Sequence, residues 1–202
     1  MKYLHIAFEG PIAAGKTTLA TMLARWVAGF LLLEDFQANE FLADFYEDHD
    51  RWALPMQLWF LTARIAQLNS IPVALSGTVV VDYSYLKDGM FARILLRDRE
   101  LRLYQQVAEG FTVTIRPPDL IVYLDASNDV LLERIRLRGR PYERTIDGAY
   151  LDLQRDAYAR EFAAIDTLNV LRYDTSRLDL TSQLAMTELY ETILSAVRQK
   201  HA

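Results

Sequence analysis

The chain contains no cysteine. That absence excludes a disulfide scaffold, a thiolate-ligated zinc or iron–sulfur site, and a thiol nucleophile. Histidine is scarce as well. His5, His49 and His201 are scattered along the sequence, which argues against a histidine metal site. No apolar run approaches the roughly 18 residues of a membrane span. The N-terminal MKYLHIAFEG has a short apolar run but no small-residue cleavage site, so it reads as a first strand and not a signal peptide. The default expectation is a cytoplasmic protein that binds no membrane. Positive charge is also short: 22 Lys and Arg against 27 Asp and Glu give a net charge of −5, so a nucleic-acid partner is not expected. With 8 Gly and 6 Pro in 202 residues, no linker, repeat or low-complexity tract divides the chain. A single domain over residues 1–202 is expected.

What the sequence does have is short apolar runs alternating with helical patterns. The spacing predicts strands at Tyr3–Phe8, Phe30–Leu33, Thr78–Val81, Leu120–Leu124 and Leu168–Arg172. It predicts helices at Lys16–Ala28, Glu40–Asp48, Arg51–Ala74, Arg97–Thr114, Asn128–Leu137, Tyr150–Ile165 and Thr181–Gln199. Pro55 falls in the first turn of the third helix, where a missing N–H costs little. All-apolar strands separated by helices imply an α/β, three-layer fold with a five-stranded parallel sheet covered on both faces. Ligands of such sheets bind beyond the carboxyl ends of the strands. The residues after Phe8, Leu33, Val81 and Leu124 are therefore the ones to inspect.

After the first predicted strand, Gly10, Pro11, Ile12, Ala13, Ala14, Gly15, Lys16, Thr17 and Thr18 satisfy the phosphate-binding pattern G-x-x-x-x-G-K-[ST], in a strand–loop–helix setting. Gly10 and Gly15 let the backbone curl so that successive N–H groups point at one centre. The helix that follows adds its positive dipole end. Lys16 offers a cation for the β- and γ-phosphates, and Thr17 a hydroxyl for Mg2+. The pattern implies a nucleoside triphosphate and leaves the fate of its γ-phosphate open.

Two carboxylates stand at the same sheet edge. Glu34 follows the second strand and Asp82 the third. One can take a proton from an attacking hydroxyl and the other can help hold a metal ion. Asp35 reads as a bystander. Later, RIRLRGRPYER carries Arg134, Arg136, Arg138, Arg140 and Arg144 within eleven residues. Gly139 and Pro141 interrupt the helix there, so several arginines fall on a turn suited to closing over transferring phosphates.

The segments GPIAAGKTT, LLLED, NEFLADFYED, RWALPMQLWFLTARIAQL, VVVDYSYLKDGMFA and LERIRLRGRPYER resemble, in that order, those of deoxynucleoside kinases, and most nearly the bacterial purine deoxynucleoside kinases. The resemblance implies a P-loop kinase fold with an arginine-rich lid at about residues 138–146. It implies ATP as phosphoryl donor, Mg2+ as cofactor, a small deoxynucleoside as acceptor and a homodimer. It makes Glu34 the general base for the 5′-hydroxyl, Gln57 the amide that pairs with the nucleobase, and Arg64 with Asp88 the pair that reads the base edge. Tyr46 and Glu143 would hold the sugar 3′-hydroxyl, and Arg134, Arg138 and Arg140 would be the lid arginines. Trp52, Met56, Trp59 and Phe60 could wall the base pocket or simply serve the core. Asp82 starts a motif in which relatives carry arginine next. Here Tyr83 stands in that place, so a contact near the 5′-oxygen is missing or supplied by another residue, Tyr83 itself included. The DYSYLKDGMFA segment is more similar to deoxyguanosine-type enzymes than to deoxyadenosine-type ones. The implied activity is therefore 5′-phosphorylation of purine deoxynucleosides with deoxyguanosine favoured. A deoxyadenosine kinase, a broader deoxynucleoside kinase, a thymidylate kinase and a silent nucleotide-binding subunit are the alternatives.

Overall fold

The apolar runs become five parallel strands: β1 (Leu4–Glu9), β2 (Phe30–Leu32), β3 (Thr78–Val81), β4 (Leu120–Asp125) and β5 (Val170–Asp174), in the spatial order β2-β3-β1-β4-β5. The structure is a computed structural model that describes residues 3–72, 75–111, 115–165, 169–179 and 182–200. The connecting helices are α1 (Lys16–Trp26), α2 (Leu42–Glu47), α3 (His49–Asn69), α4 (Leu86–Leu95), α5 (Asp98–Glu109), α6 (Asn128–Arg138), α7 (Gly148–Ala164) and α8 (Gln183–Lys200). Among the described residues, no helix is long and apolar enough to cross a membrane.

Alternation along the strands divides the core into two faces. Ile6, Phe8, Val80, Leu120, Val122 and Leu124 meet Leu19 and Leu23 of α1, Leu131 and Ile135 of α6, and Leu189 and Ile193 of α8. On the other face, Val79, Val81 and Tyr83 meet Leu68 of α3, while Tyr123 meets Met90 of α4 and Tyr158 of α7. A third apolar cluster, around Phe45, Met56, Phe60 and Tyr104, joins α2, α3 and α5. Burial on both faces explains why these strands read as continuous apolar runs.

Several boundaries differ from expectation. The helix α4 lies within residues that carried no helix prediction, because Gly89 and the polar Asp82–Ser84 turn weaken the local signal. Tertiary burial of Met90 and Ala92 supplies what propensity does not. α3 begins two residues early, at His49, where the Asp48 side chain accepts from the Arg51 N–H. Pro55 therefore sits in the second turn and not the first, and removes the N–H that would reach the Arg51 carbonyl. α3 stops at Asn69, ahead of Pro72, short of the predicted end. Val73 and Ala74, Thr112–Thr114, Leu168 and Thr181, at the ends of predicted elements, lie outside the described residues.

Candidate active site

The loop after β1 curls around a single centre because three residues take left-handed backbone conformations: Gly10 at φ 142°, Ala13 at φ 64° and Gly15 at φ 100°. At Gly10 the requirement is doubled, since a Cβ there would lie 2.0 Å from the Leu124 carbonyl oxygen. The loop is fastened from outside. Gln154 of α7 accepts from the Ile12 N–H at 3.1 Å, and Arg134 of α6 donates to Ala13 O at 3.4 Å and to the Thr175 carbonyl at 2.7 Å. Lys16 starts α1, and its Nζ donates to the Gly10 and Pro11 carbonyls, each at 2.8 Å. Burial, and then repulsion from Lys87, lowers its pKa to about 8.

Beneath the loop, the Thr17 hydroxyl donates to Asp82 Oδ2 at 2.6 Å, while Asp82 Oδ1 accepts from the Glu34 N–H at 2.7 Å. Burial raises the Asp82 pKa, against these two hydrogen bonds. Among the described residues no group of three or more His, Cys, Asp or Glu could enclose a metal ion. One hydroxyl and one carboxylate are instead suited to a hard cation that keeps most of its shell as water and phosphate oxygen, so the residues present fit Mg2+. Glu9, the last residue of β1, braces the floor by accepting from the Ser84 N–H at 2.6 Å and the Tyr158 hydroxyl at 2.7 Å.

Glu34 faces this floor from just after β2. Its Oε1 accepts from Arg64 Nε at 2.6 Å and is paired with a second nitrogen of the same guanidinium. Lys87 Nζ donates to Oε2 at 3.0 Å and reaches Oε1 at 3.4 Å. Burial alone would raise the Glu34 pKa, but Arg64 and Lys87 overrule it and hold the carboxyl at about 2. Arg64 also pairs with Asp88, and its guanidinium lies 4.4 Å from the Phe60 ring centroid. Burial pushes Asp88 up to about 6, with Arg64 opposing.

These groups open on one cavity of about 480 Å3. It runs from the phosphate loop, past Glu34, Arg64 and Lys87, to Gln57, Met56, Phe60 and Phe45, and its roof carries Tyr46, Arg138, Arg140, Tyr142 and Glu143. Gln57 is buried; among the described residues its Oε1 has no partner and its Nε2 faces the Met56 sulfur at 3.8 Å. In the roof, Glu143 accepts from Arg138 at 2.6 Å and from Arg140 at 3.2 Å. Tyr142 lies 5.5 Å from Tyr46, ring to ring, and Arg140 covers Phe36 at 4.0 Å. Burial, with Tyr150 and Glu143 close by, raises the Tyr46 pKa.

Most residues singled out in the sequence therefore meet at this cavity, but Tyr83 and Asp88 are among those that do not line it. Tyr83 is fully buried, and its hydroxyl donates to Gln67 Oε1 at 2.9 Å. It cannot stand at a 5′-oxygen, because strand alternation turns it into the core with Val79 and Val81. Asp88 is buried behind Arg64 and pairs with it, and its Oδ2 has no partner among the described residues. Trp52 and Trp59 are also absent from the cavity wall, and Trp52 stacks on Phe41 at 5.8 Å. Sequence reasoning missed Lys87, Gln154 and Thr175. For Lys87 the available signal was its place five residues after Asp82; Gln154 and Thr175 carried none.

Comparison with known proteins agrees with this geometry. The model of the deoxynucleoside kinase family matches residues 6–200. A deoxyguanosine kinase of Bacillus subtilis is 36% identical over 73% of this chain and 72% of its own length. A deoxyadenosine kinase of Dictyostelium discoideum is 34% identical over 90% and 76%. Among solved structures, the deoxyadenosine kinase of M. mycoides with dCMP and dCDP bound superposes with a TM-score of 0.80 at 22% identity, covering 95% of this chain and 99% of that one. The phosphate loop, the acidic sheet edge and the arginine-rich roof thus accompany a match along nearly the whole chain, and the chain belongs to the deoxynucleoside kinase family of phosphotransferases.

Proposed function

We propose that the protein transfers the γ-phosphoryl group of ATP to the 5′-hydroxyl of a purine deoxynucleoside, with deoxyguanosine favoured over deoxyadenosine. The observation that carries this reading is the cavity itself. A phosphate loop at one end and the Gln57 amide at the other, its Oε1 without a partner among the described residues, are separated by Glu34. That order matches a triphosphate, a hydroxyl and a base in line. A carboxylate at the acceptor position also disfavours a thymidylate-type acceptor, whose phosphate it would repel.

In this reading Gln57 pairs with the base between Met56 and Phe60, while Tyr46 and Glu143 hold the sugar 3′-hydroxyl. The 5′-oxygen attacks the γ-phosphorus, the bond to the β–γ bridging oxygen breaks, and ADP leaves. The hydroxyl proton passes to Glu34. A carboxylate held at about 2 is a weak base in the ground state, so the transfer comes late, once bonding to phosphorus has made the hydroxyl acidic. Until then Glu34 orients the hydroxyl. Lys16 and the arginines 134, 138 and 140 meet the charge on the phosphoryl oxygens. Thr17 and Asp82 would hold Mg2+, which when bound neutralises charge on the β- and γ-phosphates. The protein acts as a homodimer on small molecules.

The test is ADP release from ATP with each of four deoxynucleosides and, separately, their 5′-monophosphates. Turnover with deoxyguanosine or deoxyadenosine supports the reading. Turnover with monophosphates alone would make the protein a nucleotide kinase, and no turnover would make it a silent nucleotide-binding subunit.

A further inference from the structure

The tyrosine at position 83 leaves a question about charge. The resemblance puts a cation next to Asp82, and Tyr83 is neutral, fully buried and bonded to Gln67. A cation nevertheless reaches the site from one turn further on. Lys87, in the first turn of α4, lines the cavity and donates to Glu34 Oε2 at 3.0 Å. We propose that Lys87 is a positioning residue of this kinase: it fixes the Glu34 carboxylate toward the acceptor hydroxyl.

Three observations carry the assignment. The two carboxylate oxygens are not equivalent. Oε1 accepts from both faces of the Arg64 fork, whereas Oε2 accepts only from Lys87 among the described residues. Oε2 thus has room for a further donor such as a hydroxyl, and Lys87 is the group that holds it in place. Second, a lysine in the first turn of a helix opposes the positive end of the helix dipole. Its location is unfavourable for α4 itself, which is expected of a residue placed for a site. Third, Lys87 and Glu34 both line the cavity and are largely shielded from solvent, with side chains 12% and 14% exposed, and Lys87 Nζ lies 5.9 Å from the Phe91 ring centroid.

Charged and titratable groups reach Glu34 from each neighbouring element: Arg64 from α3, Lys87 and Asp88 from α4, Asp82 and Tyr83 from the end of β3, and Lys16 from the phosphate loop. Arg64 and Lys87 are the two cations bonded to it. Losing Lys87 removes one of them and leaves Glu34 Oε2 without its donor, while the contacts of Arg64 with Oε1 stay in place.

The inference rests on the kinase reading above. The experiment compares Lys87→Met and Lys87→Arg with the wild type, with Lys87→Gln as a substitute should the Met variant fail to fold. Melting temperatures confirm folding, and steady-state rates are measured at one pH. Lys87→Met should lower kcat by roughly 30- to 300-fold, with KM for ATP and nucleoside held within about threefold. Lys87→Arg should recover kcat to within about fivefold. Unchanged kcat in Lys87→Met overturns the proposal, as does equal loss in the Met and Arg variants, which would mean packing and not charge. So does a fall in kcat accompanied by a comparable rise in KM for both substrates. A wild type that phosphorylates no deoxynucleoside overturns the functional reading instead. The Lys87–Glu34 pairing is then judged by crystal structures of the wild type and Lys87→Met, where an unmoved Glu34 carboxylate overturns it.

Discussion

At the scale of single residues, the site is governed by which charges face Glu34 and Lys16. Arg64 cannot be removed cleanly, because its loss strands Asp88 as a buried carboxylate and leaves Glu34 to Lys87, at a cost of about 3–5 kcal/mol. Glu34 is the better probe. Glu34→Gln keeps the shape and should leave affinity for ATP and deoxynucleoside within a few-fold, while kcat falls by roughly two to four orders of magnitude. Retention of more than about a tenth of the wild-type turnover would rule Glu34 out as the proton acceptor. Lys16 predicts a pH effect of definite sign. Burial first, then Lys87, lowers its pKa to about 8, so the ammonium is lost as pH rises through that value. The free enzyme should therefore lose kcat/KM for ATP above about pH 8. Bound phosphates hold the proton on Lys16, so the alkaline limb of kcat itself should lie at higher pH. Coincident limbs in the two profiles would show that another group controls both. Glu34 was legible in the sequence because it follows a strand at the ligand edge of the sheet, and Lys16 because it stands in the G-x-x-x-x-G-K-[ST] pattern. Lys87 was not, because its role depends on where α4 turns it.

At the scale of elements, the segment from α6 to α7 decides what the arginines do. Arg134 is built into the scaffold through Thr175 and Ala13. Arg138 closes α6, and Gly139 at φ 69° turns the chain so that Arg138 and Arg140 converge on Glu143. Arg136 points outward and pairs with Glu133 at the exposed surface. Arg138→Ala and Arg140→Ala should reduce kcat more than substrate binding, because roof charges matter most when phosphoryl charge is spread in the transition state. Arg136→Ala should leave both close to wild type. Equal losses in all three would point to a diffuse electrostatic effect. The helical periods of α1, α6, α7 and α8 were readable, because their apolar faces meet the sheet. By contrast, α4 was not: Gly89 and two short polar stretches hide a helix that packing alone stabilises. Strand alternation, applied to Tyr83, would have turned it away from the cavity even from sequence, had Thr78–Val81 been extended by two residues.

At the scale of the whole molecule, the proposed base preference rests on how three elements meet around Arg64: α3 brings Gln57 and Arg64 to the cavity, α4 places Asp88 behind Arg64, and the chain after β2 brings Glu34. Gln57 can offer a donor or an acceptor, so alone it does not choose between purines. Arg64 offers donors only. Three of its five N–H groups are committed to Glu34 and Asp88, which fixes the direction of the rest. Guanine presents O6 and N7 as acceptors to such a donor, whereas adenine presents an N6 amino group that would face the guanidinium. In sequence, Asp88 left the order open, since an acceptor in the pocket could reward the adenine amino group. Here Asp88 stands behind Arg64 and holds it, so the acceptor that would reverse the order does not line the cavity. Deoxyguanosine should therefore be preferred over deoxyadenosine, and both over thymidine. A mismatched, buried donor pair costs about 1–3 kcal/mol, or roughly 5- to 150-fold in kcat/KM. Relatives of both purine specificities are about a third identical to this chain over the aligned residues, 36% and 34%, so overall similarity does not decide the matter. Competition between the two purine deoxynucleosides at equal concentration does, with products separated by chromatography. An excess of deoxyadenosine monophosphate would mean that Asp88 turns into the cavity when substrate binds, and would overturn the assignment of Arg64 while leaving the transfer chemistry around Glu34 as it stands.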